Sequence, residues 1–208
     1  MSKYSIPEPL LFFGGFSNSG KTKYLTPILE ELGFEVYSCS RLLHEFATKL
    51  GQEYLGLQSF NSDNREQEVS TVSMLRETAK IAGTDTDCLF QETKRTNYAS
   101  TRELCITIAE ECLIPVFSRN LFPGTICDRI LADPGRKIAI EVFNTEEYII
   151  FAAKLFNLLS KKESLVFNLR RKEEVPDIDK RTLLPIKDVI WNDGSYSDLK
   201  SKVLNFLS

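Results

Sequence analysis

Apolar runs separated by amphipathic stretches predict a chain in which strands alternate with helices. The run Leu10–Phe13 is continuously apolar and precedes Gly14 and Gly15, which is typical of a strand buried on both faces of a parallel sheet. Similar runs predict the later strands Phe34–Cys39, Ile138–Val142, Leu165–Leu169 and Asp188–Trp191. This order predicts an α/β fold with a mostly parallel sheet and helices on both faces.

Helical spacing and capping residues predict the helices between these strands. The first covers Gly20–Leu32 and ends at Gly33, although Pro27 removes one backbone hydrogen bond and should kink or divide the helix. The second covers Arg41–Leu50, with Ser40 as its N-cap. The remaining predicted helices are one that carries Val69, Val72, Leu75, Ala79 and Ala82, one that begins at Ser100 or Thr101, and Gly124–Ala132, Thr145–Leu159 and Ser197–Leu207.

Length and composition indicate one globular domain over residues 1–208, since 42% of the 208 residues are hydrophobic and 26% are charged. A net charge of −3 argues against a nucleic-acid partner, because sequence-independent binding to phosphates needs a surplus of Lys and Arg. The apolar stretch Pro9–Phe16 is far shorter than the roughly 20 residues that span a bilayer, so we expect a cytoplasmic protein with no membrane partner. A homodimer is compatible with the sequence, which does not fix the oligomeric state.

The strongest chemical signal is the segment GFSNSGKT, which matches the pattern G-x-x-x-x-G-K-[ST]. It lies between the first predicted strand and the first predicted helix, where this pattern forms a phosphate-binding loop. Backbone N–H groups and the helix N-terminus supply donors there, Lys21 is expected to bridge the β- and γ-phosphates, and Thr22 is expected to ligate Mg²⁺. The predicted ATP-phosphate-binding residues are Gly15, Phe16, Ser17, Asn18, Ser19, Gly20, Lys21 and Thr22.

A phosphate-binding loop alone does not identify the phosphoryl acceptor. We find no D-x-x-G motif after a strand and no N-K-x-D-like motif that would read guanine. These absences argue against a GTPase and favour a small kinase.

The loop and several later segments look like one known family. The later segments are Thr101–Leu104, Ile138–Val142 leading to Asn144–Glu146, Leu169–Arg170, Leu184–Ile186 and Val189–Ser195. Together they resemble the deoxynucleoside monophosphate kinases encoded by bacteriophages, which are relatives of dephospho-coenzyme A kinase. The resemblance implies a three-layer P-loop fold with a small lid, and transfer of the γ-phosphoryl group of ATP to a deoxynucleoside monophosphate with Mg²⁺.

Arginines are the expected phosphate clamps, because a planar guanidinium binds two phosphate oxygens at once. The predicted catalytic residues are Lys21, Arg102 and Arg170. The candidates for acceptor binding are Arg41, Arg102, Arg119 and Glu141. The resemblance also implies an acceptor-binding insertion near residues 51–99 and a lid near residues 170–185. It further implies that adenine contacts the turn formed by Asn192, Asp193 and Gly194. Without the resemblance, these three residues would indicate only a tight turn.

Two departures from the family pattern bear on the alternatives. Dephospho-coenzyme A kinases carry an Asp just after the second strand, where this chain reads Ser38–Arg41, and this favours a monophosphate acceptor over a hydroxyl acceptor. The family's D-x-R pattern is replaced by Glu141–Phe143, so the Arg is missing. Three alternatives stay open for Glu141, which are contact with Mg²⁺-bound water, contact with a sugar hydroxyl and a structural hydrogen bond. Another small-molecule kinase, for dephospho-coenzyme A or a nucleoside, and a non-catalytic ATP-binding sensor stay open.

Overall fold

The computed structural model describes residues 9–16, 18–54, 68–70, 78, 80–81, 98–100, 105, 107–172 and 184–208. The chain forms two compact units, the first comprising Met1–Ser38 with Pro123–Ser208 and the second comprising Cys39–Phe122. No helix within the described ranges has both the length and the apolar character needed to cross a membrane.

The described strands form two sheets. In chain order they are β1 (Leu10–Gly14), β2 (Phe34–Ser38), β3 (Glu68–Ser70), β4 (Tyr98–Ser100), β5 (Lys137–Glu141), β6 (Ser164–Arg170) and β7 (Val189–Trp191). The first unit contains a five-stranded sheet in the order β2-β5-β1-β6-β7, with every neighbouring pair parallel. The predicted α/β class with a parallel sheet is confirmed.

The described helices fall mostly between these strands. They are α1 (Thr26–Glu31), α2 (Cys39–Lys49), α3 (Ile114–Phe117), α4 (Leu121–Ala132), α5 (Thr145–Lys154), α6 (Phe156–Leu159) and α7 (Tyr196–Leu207). Three π-helical turns adjoin them, at Lys21–Leu25 before α1, Leu50–Tyr54 after α2 and Ile108–Leu113 before α3.

Helices cover both faces of the sheet in the first unit. Successive side chains of a strand point to opposite faces, so Leu11 and Phe13 share one face while Phe12 lies on the other. Leu11 and Phe13 pack in a buried cluster with residues of α1 and α7, including Leu29 and Val203. The ring of Phe12 meets Tyr148 of α5 edge to face, with centroids 5.1 Å apart. The central strand is therefore buried on both faces, as its continuous apolar sequence predicts.

The second unit has its own apolar cluster and a small sheet. The cluster joins Ala47 and Leu50 to buried residues of the later helical segment, among them Ile108 and Cys112. Strands β3 and β4 pair in antiparallel register.

One of the helix predictions was wrong in part, because Val69 lies in β3, where it pairs with Ala99 of β4. Ser100 is the last residue of β4, and Thr101, the other predicted cap, lies outside the described residues. Residues 78, 80–81, 105 and 107 are helical, as predicted, whereas Val72, Leu75, Ala79 and Ala82 lie outside the described residues.

The helix predicted over Gly20–Leu32 is divided just before Pro27, in agreement with the prediction that this proline kinks or divides it. The π-helical turn Lys21–Leu25 ends ahead of it, and Pro27 lies in the first turn of α1, where its missing N–H is tolerated. Two other helix boundaries differ from the predictions. Ser40 is not an N-cap, because α2 begins at Cys39 directly after β2. The helix predicted over Thr145–Leu159 is divided at Leu155, which lies between α5 and α6.

Candidate active site

The carboxyl ends of the parallel strands bring the predicted residues of the first unit to one edge of the sheet. Phe13 of β1 is in register with Glu141 of β5, and Gly14 is in register with Asn168 of β6. The loop that follows β1 leads into the helical turn beginning at Lys21. Ligands bind at this edge of open parallel sheets, where neighbouring connections diverge.

Glycines give this loop a backbone path that other residues would obstruct. Gly15 and Gly20 have positive φ angles of 144° and 98°, and Asn18, a residue that tolerates this region, has a φ of 62°. A Cβ atom at Gly15 would lie 2.3 Å from the carbonyl oxygen of Leu169, and one at Gly20 would lie 2.3 Å from Nδ2 of Asn192. Both glycines of the motif are therefore required by conformation and by close packing.

Lys21 is directed back along the loop. Its Nζ donates hydrogen bonds of 2.8 Å to the carbonyl oxygens of Gly15 and Phe16, and only 6% of Lys21 is exposed. The carboxylate of Glu141 lies 3.9 Å from the same nitrogen. The ammonium group is thus held at the start of the loop by two carbonyl oxygens and by an acidic side chain at the end of β5.

Ser19 contributes a buried hydroxyl to the loop. Ser19 is fully buried, and its Oγ has no hydrogen-bond partner among the described residues. A buried hydroxyl without a partner is energetically costly, which is a common property of sites that bind a polar ligand. The main-chain N–H of Ser19 donates to Phe16 at 3.3 Å, a long contact that closes the turn.

The residues at this edge fit a magnesium ion bound together with a nucleotide. Thr22 is exposed in the first helical turn after the loop, and the carboxylate of Glu141 lies beside Lys21. Mg²⁺ prefers oxygen ligands and is often held by few protein groups in addition to phosphates and water. A hydroxyl and a carboxylate of this kind match that donor set.

Arg170 lies between two aromatic rings at the end of β6. Its guanidinium carbon is 5.9 Å from the centroid of Phe16 in the loop and 5.2 Å from the centroid of Trp191 in β7. Such cation–π contacts restrict a long side chain without neutralising its charge. The next residue, Arg171, lies over Tyr24 and makes a long hydrogen bond of 3.4 Å to the carbonyl of Asn18. The structure thus places two arginines beside the loop.

Two buried asparagines, Asn168 and Asn192, bond through their side chains to backbone groups at this edge of the sheet. This structural role was not predicted from the sequence for either residue. Asn168 in β6 exchanges two hydrogen bonds with the backbone of Leu184, through Oδ1 and Nδ2. Asn192 donates from Nδ2 to the carbonyl of Ser19 at 2.8 Å. The signal for Asn168 was present, since a polar residue inside the apolar strand Leu165–Leu169 needs a buried partner. The partner of Asn192 is too distant along the chain to be read from sequence.

An open cleft of about 700 Å³ borders the turn after β7. This volume lies within the range of small-ligand sites. Two of the three residues predicted to lie beside adenine, Asp193 and Gly194, line this cleft, and Asp193 also accepts a hydrogen bond from the main-chain N–H of Lys172. The other lining residues are Lys172, Trp191, Asp198, Ser201 and Lys202.

The other residues predicted for the site either lie outside the described residues or belong to the second unit. Arg102 and Ser17 lie outside the described residues, as does most of the predicted lid, residues 173–183. Arg41 and Arg119 belong to the second unit, where Arg41 is exposed and lies 3.9 Å from Glu45 of the same helix. The acceptor-binding roles of these arginines stay predictions.

No protein-family model matches this chain, and no curated protein matches it. Solved structures with low similarity include an APS kinase of Mycobacterium tuberculosis, at 13% identity and a TM-score of 0.42, covering 97% of this chain and 98% of that one. A dephospho-CoA kinase from Campylobacter jejuni has 17% identity and a TM-score of 0.43, covering 94% of each chain. A sugar kinase from Janibacter has 12% identity and a TM-score of 0.42, covering 97% of this chain and 95% of that one.

Proposed function

We propose that this protein is a Mg²⁺- and ATP-dependent kinase that transfers the γ-phosphoryl group to a deoxynucleoside or nucleoside monophosphate. The observation that carries the proposal is the loop after β1. It combines the complete G-x-x-x-x-G-K-[ST] motif with positive φ at both motif glycines and with a Lys21 that is hydrogen-bonded to the start of the loop. This combination supports binding of a triphosphate chain.

The chain's own residues act by positioning and by charge. The loop's backbone N–H groups and the ammonium of Lys21 would hold the β- and γ-phosphates, and Lys21 would stabilise the negative charge that shifts during transfer. Arg170 would add a second positive charge, held in place by Phe16 and Trp191. Thr22 and Glu141 are the residues that would hold Mg²⁺, which supplies neutralisation of phosphate charge when bound.

An anionic acceptor suits this set of residues. A phosphate monoester has a second pKa of about 6, so near pH 7 its attacking oxygen is largely ionised without a general base. The chief requirement is then to bring two polyanions into line, which positive side chains achieve. The sequence Ser38–Arg41 after β2 offers no Asp at the position where dephospho-coenzyme A kinases carry one, which also favours a monophosphate over a hydroxyl acceptor.

The remaining parts of the proposal concern closure and the acceptor pocket. Residues 170–185 are proposed to act as a lid, and residues 51–99 to contribute to binding of the acceptor base. The described ends of the lid segment lie near the loop, since Arg171 donates a hydrogen bond to the carbonyl of Asn18 and the side chain of Leu184 lies against Gly14.

An acceptor panel tests the proposal. Purified full-length protein is incubated with Mg²⁺ and ATP and, separately, with each nucleoside and deoxynucleoside monophosphate, a nucleoside, dephospho-coenzyme A or no acceptor, and ADP formation is followed. We expect ADP above the acceptor-free rate with at least one monophosphate. ADP formation only with a hydroxyl acceptor would replace the proposal with another small-molecule kinase. Binding of ATP without turnover on any acceptor would replace it with a nucleotide sensor.

A further inference from the structure

Asn192 connects the end of β7 to the phosphate-binding loop across 173 residues of sequence. Its Nδ2 donates a 2.8 Å hydrogen bond to the carbonyl oxygen of Ser19, and only 5% of Asn192 is exposed. We propose that Asn192 is a positioning residue that fixes the loop in the orientation needed to bind the phosphate chain. This inference rests on the proposed function and assigns a new role to a residue that was predicted only to lie beside adenine.

Gly20 provides the space for the amide of Asn192. A Cβ atom at Gly20 would lie 2.3 Å from Nδ2 of Asn192, closer than two unbonded atoms can approach. The absence of a side chain at Gly20 therefore allows the loop backbone to reach the asparagine. The second glycine of the motif is explained by this contact as well as by its φ of 98°.

The hydrogen bond to Ser19 also determines the direction of the next amide. The C=O and N–H groups of one planar trans peptide point in opposite directions. Holding the Ser19 carbonyl toward Asn192 therefore holds the Gly20 N–H away from it. That N–H is among the donors that a loop of this type offers to phosphate. Without the asparagine amide, this peptide could turn more easily, because Gly20 has no side chain to restrain it.

Asn192 also connects the loop to Arg170. Its main-chain N–H donates a 2.8 Å hydrogen bond to the carbonyl of Arg170, while its side chain holds Ser19. Replacement of the side chain leaves the first bond in place and removes the second. The expected defect is therefore confined to the loop and does not extend to the pairing of β6 with β7.

The test uses two variants of the full-length protein, Asn192→Leu and Asn192→Asp. Leucine has a similar size, is neutral and cannot donate, whereas aspartate keeps the shape of asparagine but places a carboxylate against the Ser19 carbonyl. Calorimetric titrations measure the affinity for Mg²⁺-tripolyphosphate, which contains only the phosphate chain, and for adenosine, which contains only the base and sugar. We expect both variants to bind tripolyphosphate about ten-fold more weakly or worse, since a lost hydrogen bond to a buried group has about this effect. Adenosine affinity should stay within about two-fold of the wild-type value, a change of less than 1 kcal/mol, because the side chain of Asn192 is buried against Ser19 and is not among the residues that line the cleft with Asp193 and Gly194.

Matched controls and a wild-type measurement keep the test decisive. Asn205→Leu and Asn205→Asp make the same replacements at an exposed residue of α7 and should bind tripolyphosphate as the wild type does. In the wild type, the side-chain amide of Asn192 should exchange slowly with solvent and its NMR signals should shift when tripolyphosphate is added. This measurement needs no variant and holds even if a variant does not fold.

The outcomes separate this inference from the proposed function. Wild-type protein that fails to bind tripolyphosphate contradicts the proposed function and the inference together. If the wild type binds tripolyphosphate and Asn192→Leu binds it with the same affinity, the inference is contradicted and the proposed function is not. A loss of tripolyphosphate affinity in Asn192→Asp alone would be an effect of the added charge and would also contradict the inference. In the kinase assay, the inference predicts a higher KM for ATP with an unchanged KM for the acceptor.

Discussion

The ammonium nitrogen of Lys21 lies 3.9 Å from a carboxylate oxygen of Glu141, at the point where β1 and β5 end side by side. The same nitrogen is hydrogen-bonded to two carbonyl oxygens of the loop. These contacts join the G-x-x-x-x-G-K-[ST] motif to the acidic residue at the end of the neighbouring strand.

Replacement of Lys21 by methionine should lower ATP turnover by about 10²–10³-fold, the usual effect of removing one donor that stabilises developing charge. Lys23→Met is the matched control, because Lys23 is exposed on the same helical turn and lies over the ring of Tyr24 instead of in the loop. Steady-state kinetics with the best acceptor measure both. Turnover of Lys21→Met equal to that of Lys23→Met would remove Lys21 from the mechanism.

Replacement of Glu141 by glutamine should raise the Mg²⁺ concentration needed for half-maximal activity and lower kcat by about ten-fold or more. The reason is that Gln keeps the size of Glu but loses the charge that faces Lys21 and that Mg²⁺ prefers. Magnesium titrations of activity measure the change, with the exposed Glu163→Gln as control. An unaltered magnesium requirement would show that Glu141 has a structural role only.

Replacement of Gly15 by alanine should destabilise the protein by about 1–3 kcal/mol, because a positive φ is unfavourable for alanine and the new Cβ would lie 2.3 Å from the Leu169 carbonyl. Gly135→Ala is the matched control, since its new Cβ would meet its nearest atom, in Asp133, only at 3.7 Å. Urea denaturation gives both free energies of unfolding. Equal effects at the two positions would contradict the described backbone path of the loop.

The strands and the loop could be predicted from sequence because their signals are local. The apolar run Leu10–Phe13 and the eight-residue motif each lie within a few adjacent positions. The contacts that complete the site are not local, and neither the bond from Asn192 to Ser19 nor the position of Arg170 between Phe16 and Trp191 leaves a pattern in the sequence. The pairing of β3 with β4 was missed for the same reason, since helical spacing around Val69 says nothing of a distant partner strand.

The stability of the first unit should fall in acid partly through Glu31. Lys200 and Tyr196 of α7 donate hydrogen bonds to its carboxylate, and they lower its pKa below the ordinary value of 4.5, with Lys200 as the larger cause. A carboxyl whose pKa is lower in the folded state stabilises the protein above its unfolded pKa, and this contribution is lost as the pH falls through the folded value. Glu31→Gln should therefore show a shallower loss of stability below about pH 4.5 than the wild type. Urea denaturation at several pH values measures this, and identical pH profiles would contradict it.

Transfer of label from ATP tests the central claim most directly. Full-length protein is given Mg²⁺ and ATP labelled at the γ-phosphate, together with the monophosphate that gives the highest rate, and the products are separated. Our account predicts that the label appears in the nucleoside diphosphate formed from the acceptor, and that Lys21→Met abolishes most of this transfer. Label that remains in ATP, or that appears only as inorganic phosphate with every monophosphate, would contradict it.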